Sequence, residues 1–226
     1  YQRGLEMTTE SEKESFLTQL RSQVGNTGDT ITARDAVNQS TIRNWCDAVS
    51  ESNPHYLDPE VAEEGPHGEI VAPPAMLQVW SMPGLIMGQQ PQRSKDPSSA
   101  TYAMLDEAGF VSVVATNVEY VFHRYLKPGD VISGRTQLVD VSEEKATGLG
   151  IGHFVTTETE YVDENDEPVG SMFFRILKFR PGTGRVNKKP DPKAEALEAA
   201  GLNPDDYLSP PERPTRPRPQ WNQDQE

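Results

Sequence analysis

The chain has 226 residues, and its 35 acidic against 21 basic side chains give a net charge of −14. That balance argues against a free nucleic-acid binder or a protein seated on anionic lipid. Hydrophobic residues make up 35%, the 19 prolines gather toward the C-terminal end, and one domain with tails is expected rather than one large body. The single cysteine, Cys46, excludes an internal disulfide framework and a thiolate metal cluster within the chain. No apolar run approaches the roughly 20 residues of a membrane span and no signal-peptide core is visible, so cytoplasm is the default expectation.

Residues 1–6, ahead of Met7, read like a leftover of expression cloning. Ser11-Glu12-Lys13-Glu14 has the capping-box spacing, and Phe16, Leu20 and Val24 recur at i, i+4 and i+8. A helix within residues 7–27 is therefore expected, ending near Gly25 and docked by one apolar stripe. A second helix is read over 40–49, where Ile42, Trp45, Cys46 and Val49 share a face, with Cys46 as a small core residue. Asn53-Pro54 ends it. Asp58-Pro59 then offers an N-cap followed by proline at the first helical position, starting a short helix through Ala62. The stretch from Glu51 to Pro59 thus falls in a loop between two short helices.

Proline is favourable at a helix start and forbidden inside one, so Ala72-Pro73-Pro74-Ala75 predicts a helix from Pro74 to Ser81, stopped by Pro83-Gly84. It is apolar nearly all round, which marks a buried helix. Residues 87–99 turn polar and read as an exposed connection, with a lid as the alternative. A short helix is expected over 101–110, closed by Gly109 and buried through Met104, Leu105 and Ala108.

Four strands follow, over 116–124, 130–141, 151–162 and 167–179, rich in Val, Ile, Thr, Tyr and Phe. In the third, Val155, Thr157, Thr159 and Tyr161 alternate with Thr156, Glu158 and Glu160, as a sheet with one wet face requires. Lys127-Pro128-Gly129-Asp130 and Asp163-Glu164-Asn165-Asp166 supply turns. Short connections predict an antiparallel meander, and helices followed by strands give an α+β class. After Arg180-Pro181-Gly182 the sequence becomes charged and proline-rich, and residues 182–226 read as a semi-rigid linker.

Three of these segments, Glu51-Ser52-Asn53-Pro54-His55-Tyr56, the Ala72-Pro73-Pro74-Ala75-Met76 helix start and Arg124-Tyr125-Leu126-Lys127-Pro128-Gly129-Asp130, resemble in order and spacing the MaoC-like enoyl-CoA hydratases over residues 28–180. The resemblance implies a hot-dog fold, a curved antiparallel sheet wrapped around a central helix that the Pro83-Gly84 break would shorten. Within the family the chain looks closest to the N-terminal half of a two-domain subunit of heteromeric members acting in steroid side-chain degradation in actinobacteria. The closing Trp221-Asn222-Gln223 stretch resembles the approach to the zinc-ribbon and OB-type domain that follows there, through which an aldolase- or thiolase-like partner would bind.

The same resemblance sets expectations for the site. In the family an acid before Asn-Pro, normally Asp, and a His after it activate a water between them; here those positions hold Glu51 and Tyr56. A phenol with a reference pKa near 10 is a poor proton shuttle at neutral pH. His55 lies one step along and is read as structural or surface, and His67, His123 and His153 lack metal spacing and favour sheet or surface roles. No catalytic residue, no metal and no cofactor is therefore expected, the CoA thioester being the substrate. Substrate contacts are expected at Asn53, Pro54, Ala75, Met76, Val79 and Trp80. With two prolines at the helix start, Ala75 and Met76 carry the first main-chain donors available to an enolate oxygen. The expected role is the substrate-binding half of a heteromeric hydratase whose Asp and His come from a second MaoC-like subunit. A hot-dog thioesterase using Glu51, and a scaffold for a partner hydratase, are the alternatives.

Overall fold

The computed structural model describes residues 9–82, 96–184, 197 and 199–201. The chain divides into two compact units, Tyr1–Arg185 and Val186–Glu226, and the sheet with its helices belongs to the first. The Pro83-Gly84 break, most of the 87–99 connection and most of the tail lie outside the described residues.

Helix α1 (Glu10–Arg21) is capped by Thr9, which accepts from the Glu12 amide at 3.2 Å while Glu12 accepts from the Thr9 amide at 3.0 Å. The capping box thus sits two residues before the expected Ser11, because Thr9 and Glu12 close the reciprocal pair. Leu20 is fully buried, whereas Val24 lies beyond the helix and is 39% exposed. Strand β1 (Ile31–Thr32) precedes α2 (Gln39–Val49), which is capped by Asn38 and buries Ile42 and Cys46. Pro54 does not merely break α2: it begins a further short helix, α3 (Pro54–Leu57), with Asn53 as its cap. Asp58 then caps α4 (Pro59–Glu63) by accepting from the Glu60 and Val61 amides.

The central helix opens as a 3-10 turn (Pro74–Met76) and continues as α5 (Leu77–Ser81). Met76, Leu77 and Trp80 are buried, Val79 is half-buried and Ala75 is exposed, so the helix is not buried on every side. Helix α6 (Ser99–Glu107) ends before Gly109, whose φ of +90° suits only a residue free of Cβ strain.

The six strands among the described residues form one antiparallel sheet, in which β1, β2 (Ser112–Phe122), β3 (Ser133–Val141), β5 (Ile151–Val162) and β6 (Pro168–Phe179) run in the order β1-β3-β5-β6-β2. The two-residue β4 (Lys145–Ala146) pairs with β5. The order corrects the expected meander. Strands β3, β5 and β6 follow one another, but β2 lies at the far edge beside β6, so residues 123–132 cross from one side of the sheet to the other. Strand β3 begins at Ser133 rather than Asp130 because the preceding residues bond the loop before α2: the Gly129 amide reaches the Val37 carbonyl and the Ala33 amide the Ile132 carbonyl. The wet face of β5 is also narrower than its alternation suggests. Thr156 is buried and its hydroxyl accepts from Arg175 Nε at 3.0 Å, leaving exposure to Glu160 and partly Glu158.

Two clusters fill the core. One joins α2, α4 and the central helix to Ile132, Tyr161, Val169 and Met172; the other joins Leu20, Leu105 and Phe110 to Leu138, Val141, Val155 and Ile176. The antiparallel sheet packed on a central helix agrees with the expected α+β, hot-dog architecture.

Candidate active site

The Asn53-Pro54 segment is built from the end of α2. Ser50 takes a left-handed conformation (φ 59°), and the Glu51 amide donates back to the Cys46 carbonyl at 2.9 Å. The Glu51 carboxylate then accepts the Asn53 amide at 2.9 Å, and the Asn53 side-chain oxygen accepts the His55 amide at 3.1 Å. Each polar side chain here satisfies an amide of the turn it sits in. Gln39 donates to the Tyr56 carbonyl at 2.9 Å and fixes α3 against α2.

The Tyr56 phenol is half-buried against the first core cluster. Burial raises its pKa above the usual tyrosine value, with further upward pressure from Tyr125 and Glu51 and a smaller opposing pull from Asn53. The fold therefore gathers Glu51, Asn53, Tyr56 and Tyr125, and holds the phenol protonated. Tyr125 extends this group to His67, whose ring lies 4.3 Å from its own.

His55 and His153 have structural surroundings, and His123 is exposed. The ring of His55 lies over Gly65, where a Cβ would come within 2.5 Å of it. His153, 3% exposed, has Nδ1 2.8 Å from the Ser142 carbonyl oxygen and stands edge-on to Phe16 and Phe110. Burial lowers its pKa. Among the described residues no cluster of His, Cys, Asp and Glu is arranged to hold a metal.

At the central helix the Met76 amide is taken by the Pro73 carbonyl at 2.9 Å. Ala75 is therefore the remaining expected main-chain donor there, and its side chain is exposed. Trp80 is buried, and its indole N–H has no hydrogen-bond partner among the described residues. Arg124, from the third resembling segment, clasps Asp130 at 2.6 Å and Asp163 at 2.9 Å. This ion pair ties the 123–132 crossover to the β5–β6 turn, and it gives the Arg-x-x-x-Pro-Gly-Asp spacing a structural purpose.

Sequence reasoning missed a second feature. Beside α5 and the sheet lies an open cleft of about 310 Å³, lined by Gln78, Ser81 and Met82, by Thr136, Thr159 and Tyr161, and by Asp29, Asp96 and Tyr102. Thr136 and Thr159 bring their hydroxyls to 2.9 Å, and Ser81 donates to the Gln78 carbonyl at 3.2 Å. Burial pushes the Tyr161 pKa up to about 12, with Ser81 and Thr159 exerting a smaller opposing pull. In the sequence these hydroxyls read as ordinary strand formers; the available signal was the row of Thr157, Thr159 and Tyr161 on one face.

Residues 22–172 match the family model of the FAS1-like dehydratase domain region. The alpha subunit of a 3-oxo-4,17-pregnadiene-20-carboxyl-CoA hydratase from Mycobacterium tuberculosis is 45% identical over 159 residues, covering 70% of this chain and 50% of that protein. A probable enoyl-CoA hydratase alpha subunit from Thermomonospora curvata is 40% identical over 179 residues, covering 78% of this chain and 56% of that protein. The chain thus spans 50% and 56% of the length of these two relatives. A chain in the crystal structure of the ChsH1-ChsH2 complex from Mycobacterium tuberculosis superposes with a TM-score of 0.68 at 39% identity, over 78% of this chain and 96% of that chain.

Proposed function

Because the chain belongs to the FAS1-like dehydratase family of MaoC-like hot-dog proteins, we propose that it is the substrate-binding, non-catalytic half of a heteromeric enoyl-CoA hydratase. A second hot-dog subunit supplies the acid and base, and the substrate is a bulky, steroid-type enoyl-CoA. The observation that carries this reading is the occupation of the water-activating positions. The Glu51 carboxylate is engaged with the Asn53 amide, and the group held near it is a phenol kept protonated by burial, Tyr125 and Glu51. Hydration needs a base that takes a proton from water as its oxygen attacks the β-carbon, and an acid that returns one to the α-carbon. A phenol that stays protonated at neutral pH cannot take the first proton.

What the chain contributes is binding and shape. The central helix and the inner face of the sheet hold the acyl group, with Met76, Val79 and Trp80 supporting that helix from the core and Asn53, Pro54 and Ala75 nearer the thioester. The alpha-subunit relatives and the match to a two-component complex support a partner. So does β2, an 11-residue edge strand on which Val113, Val118, Val121 and Phe122 are exposed. An apolar open edge of that length is a template for strand addition. No cofactor is required, since the substrate carries its own CoA.

The test compares the purified chain alone, the second hot-dog subunit alone, and the two co-purified, each given an enoyl-CoA with a polycyclic acyl group. Hydration by the pair and not by this chain is expected. Hydration by the isolated chain overturns the reading, and thioester hydrolysis that disappears in Glu51→Gln replaces it with a thioesterase.

A further inference from the structure

We infer that Arg124 is a positioning residue of the substrate site: it fixes residues 53–56 relative to the start of the central helix by anchoring the crossover that supports both. The inference rests on the proposed hydratase role and adds to it the residue that sets the thioester end of the site. The crossover, residues 123–132, reaches both segments through hydrogen bonds. On one side the Leu126 carbonyl accepts the Ala72 amide at 2.8 Å, just before the Pro73-Pro74 start of the helix. Proline fixes its own φ, so the direction in which the chain leaves Ala72 is carried to the Ala75 amide with little slack. On the other side the Gly129 amide donates to the Val37 carbonyl and the Val37 amide to the Asp130 carbonyl, both at 2.8 Å. Val37 precedes Asn38, the cap of α2, and Gln39, whose side chain holds the Tyr56 carbonyl at 2.9 Å. The placing of the 126–130 turn thus enters the geometry of both segments.

Arg124 is what fixes that turn. Its Nη1 donates to Asp130 Oδ2 at 2.6 Å and to the Tyr125 carbonyl at 3.1 Å, and its Nη2 donates to Asp163 Oδ2 at 2.9 Å. Each carboxylate also closes a turn of its own. Asp130 Oδ2 accepts the Lys127 amide at 2.8 Å, and Asp163 Oδ1 accepts the Asn165 amide at 2.9 Å and the Glu167 amide at 3.1 Å. One planar guanidinium therefore ties the crossover turn to the β5–β6 turn, and through it to two paired strands. Its fork holds both carboxylates in set directions, which a single ammonium cannot do. Leu126 belongs to the core cluster that contains Met76 and against which Tyr56 packs, so a shift of the turn is passed on by contact as well. A misplacement of about 1 Å at a donor to developing charge is enough to slow a reaction without changing any group that touches it.

The co-purified pair is assayed with a polycyclic enoyl-CoA, this chain carrying Arg124→Ala, Arg124→Lys or, as the control for lost stability alone, Leu138→Ala in the second core cluster. Arg124→Ala is expected to lower kcat and kcat/KM together by about ten- to hundred-fold, with KM moving less than about three-fold, the pattern of an interaction lost only in the transition state. Arg124→Lys keeps the charge and one carboxylate, so it should recover part of the loss, and it gives the same comparison if the alanine variant fails to fold. Leu138→Ala should lower the urea midpoint and leave the kcat of the folded pair unchanged. Amide hydrogen exchange on the full chain is the second readout. Arg124→Ala should speed exchange at the Met76 and Tyr56 amides, one in each supported segment, and Leu138→Ala should not. Wild-type kcat in Arg124→Ala, or a loss of the same size in Leu138→Ala, overturns the inference. A wild-type pair that does not hydrate sinks the proposed function instead. Faster exchange at both Met76 and Tyr56 in Arg124→Ala then supports the coupling of the two segments by Arg124, and a change confined to residues 123–132 overturns it.

Discussion

Gly170 on β6 is where the edge strand, the neighbouring strand and the central helix come closest, so Gly170→Ala is a sharp probe of how the sheet is held to α5. A Cβ at this position would lie 2.6 Å from the Val121 carbonyl oxygen on β2 and 2.9 Å from Leu77 Cδ2 on α5. The leucine methyl can swing away; the carbonyl cannot move without shifting β2, which pairs Phe122 with Gly170 at this point. Overpacking of this kind costs about 1–3 kcal/mol. For a domain of this size that is a fall in Tm of roughly 2–12 °C, at 2–4 °C per kcal/mol. Thermal melts and urea unfolding check the stability, and the affinity of the second subunit checks the proposed docking of that subunit on β2. Leu77→Ala alone is expected to cost about 2–5 kcal/mol from the cavity it leaves. In the double variant the two costs should roughly add, because the backbone clash persists. Wild-type stability and partner affinity in Gly170→Ala would refute the reasoning, and a double variant no less stable than Leu77→Ala alone would assign the clash to the side chain.

Three further outcomes are expected. His153 has a folded pKa lowered chiefly by burial, so the unfolded chain takes up its proton first; stability is full above the unfolded value of about 6.5 and is lost as pH falls toward the folded one. Urea midpoints measured between pH 8 and 5 should show this fall in the wild type and a flatter profile in His153→Gln. Arg124→Ala should lower the urea midpoint at neutral pH by freeing the crossover from Asp130 and Asp163. The Arg124 guanidinium and neighbouring amides hold the Asp163 carboxyl below the usual range, so its stabilisation is lost as pH falls through that lowered pKa, and the gap between variant and wild type should close there. Finally, Glu51→Gln should leave hydration by the assembled pair within about two-fold of wild type, since the amide can still accept the Asn53 N–H; a loss of a hundred-fold or more in kcat would make Glu51 catalytic.

The local elements were legible where a chemical rule acts within a few residues. Strand β5 runs over 151–162 as its alternation indicates, and Asp58-Pro59 caps α4 as their residue types require. Strand order was not legible, because the pairing of β2 with β6 is set by a crossover whose ends meet only in three dimensions through Arg124, Asp130 and Asp163. The site divided in the same way. Glu51, Asn53 and Tyr56 lie within six residues and their association could be read from the segment itself. The cleft draws Ser81, Thr136, Thr159 and Tyr161 from three elements, and each one taken singly is an unremarkable helix or strand residue.

In the proposed division of labour the proton chemistry belongs to the partner. The assembled pair carrying Glu51→Ala together with Tyr56→Phe, assayed for hydration of a polycyclic enoyl-CoA beside a pair in which the second subunit's own acid and histidine are replaced, addresses it most directly. The first pair is expected to keep kcat within a few-fold of wild type and the second to lose hydration altogether. Loss of hydration in the first pair, with complex formation and substrate affinity intact, would contradict it.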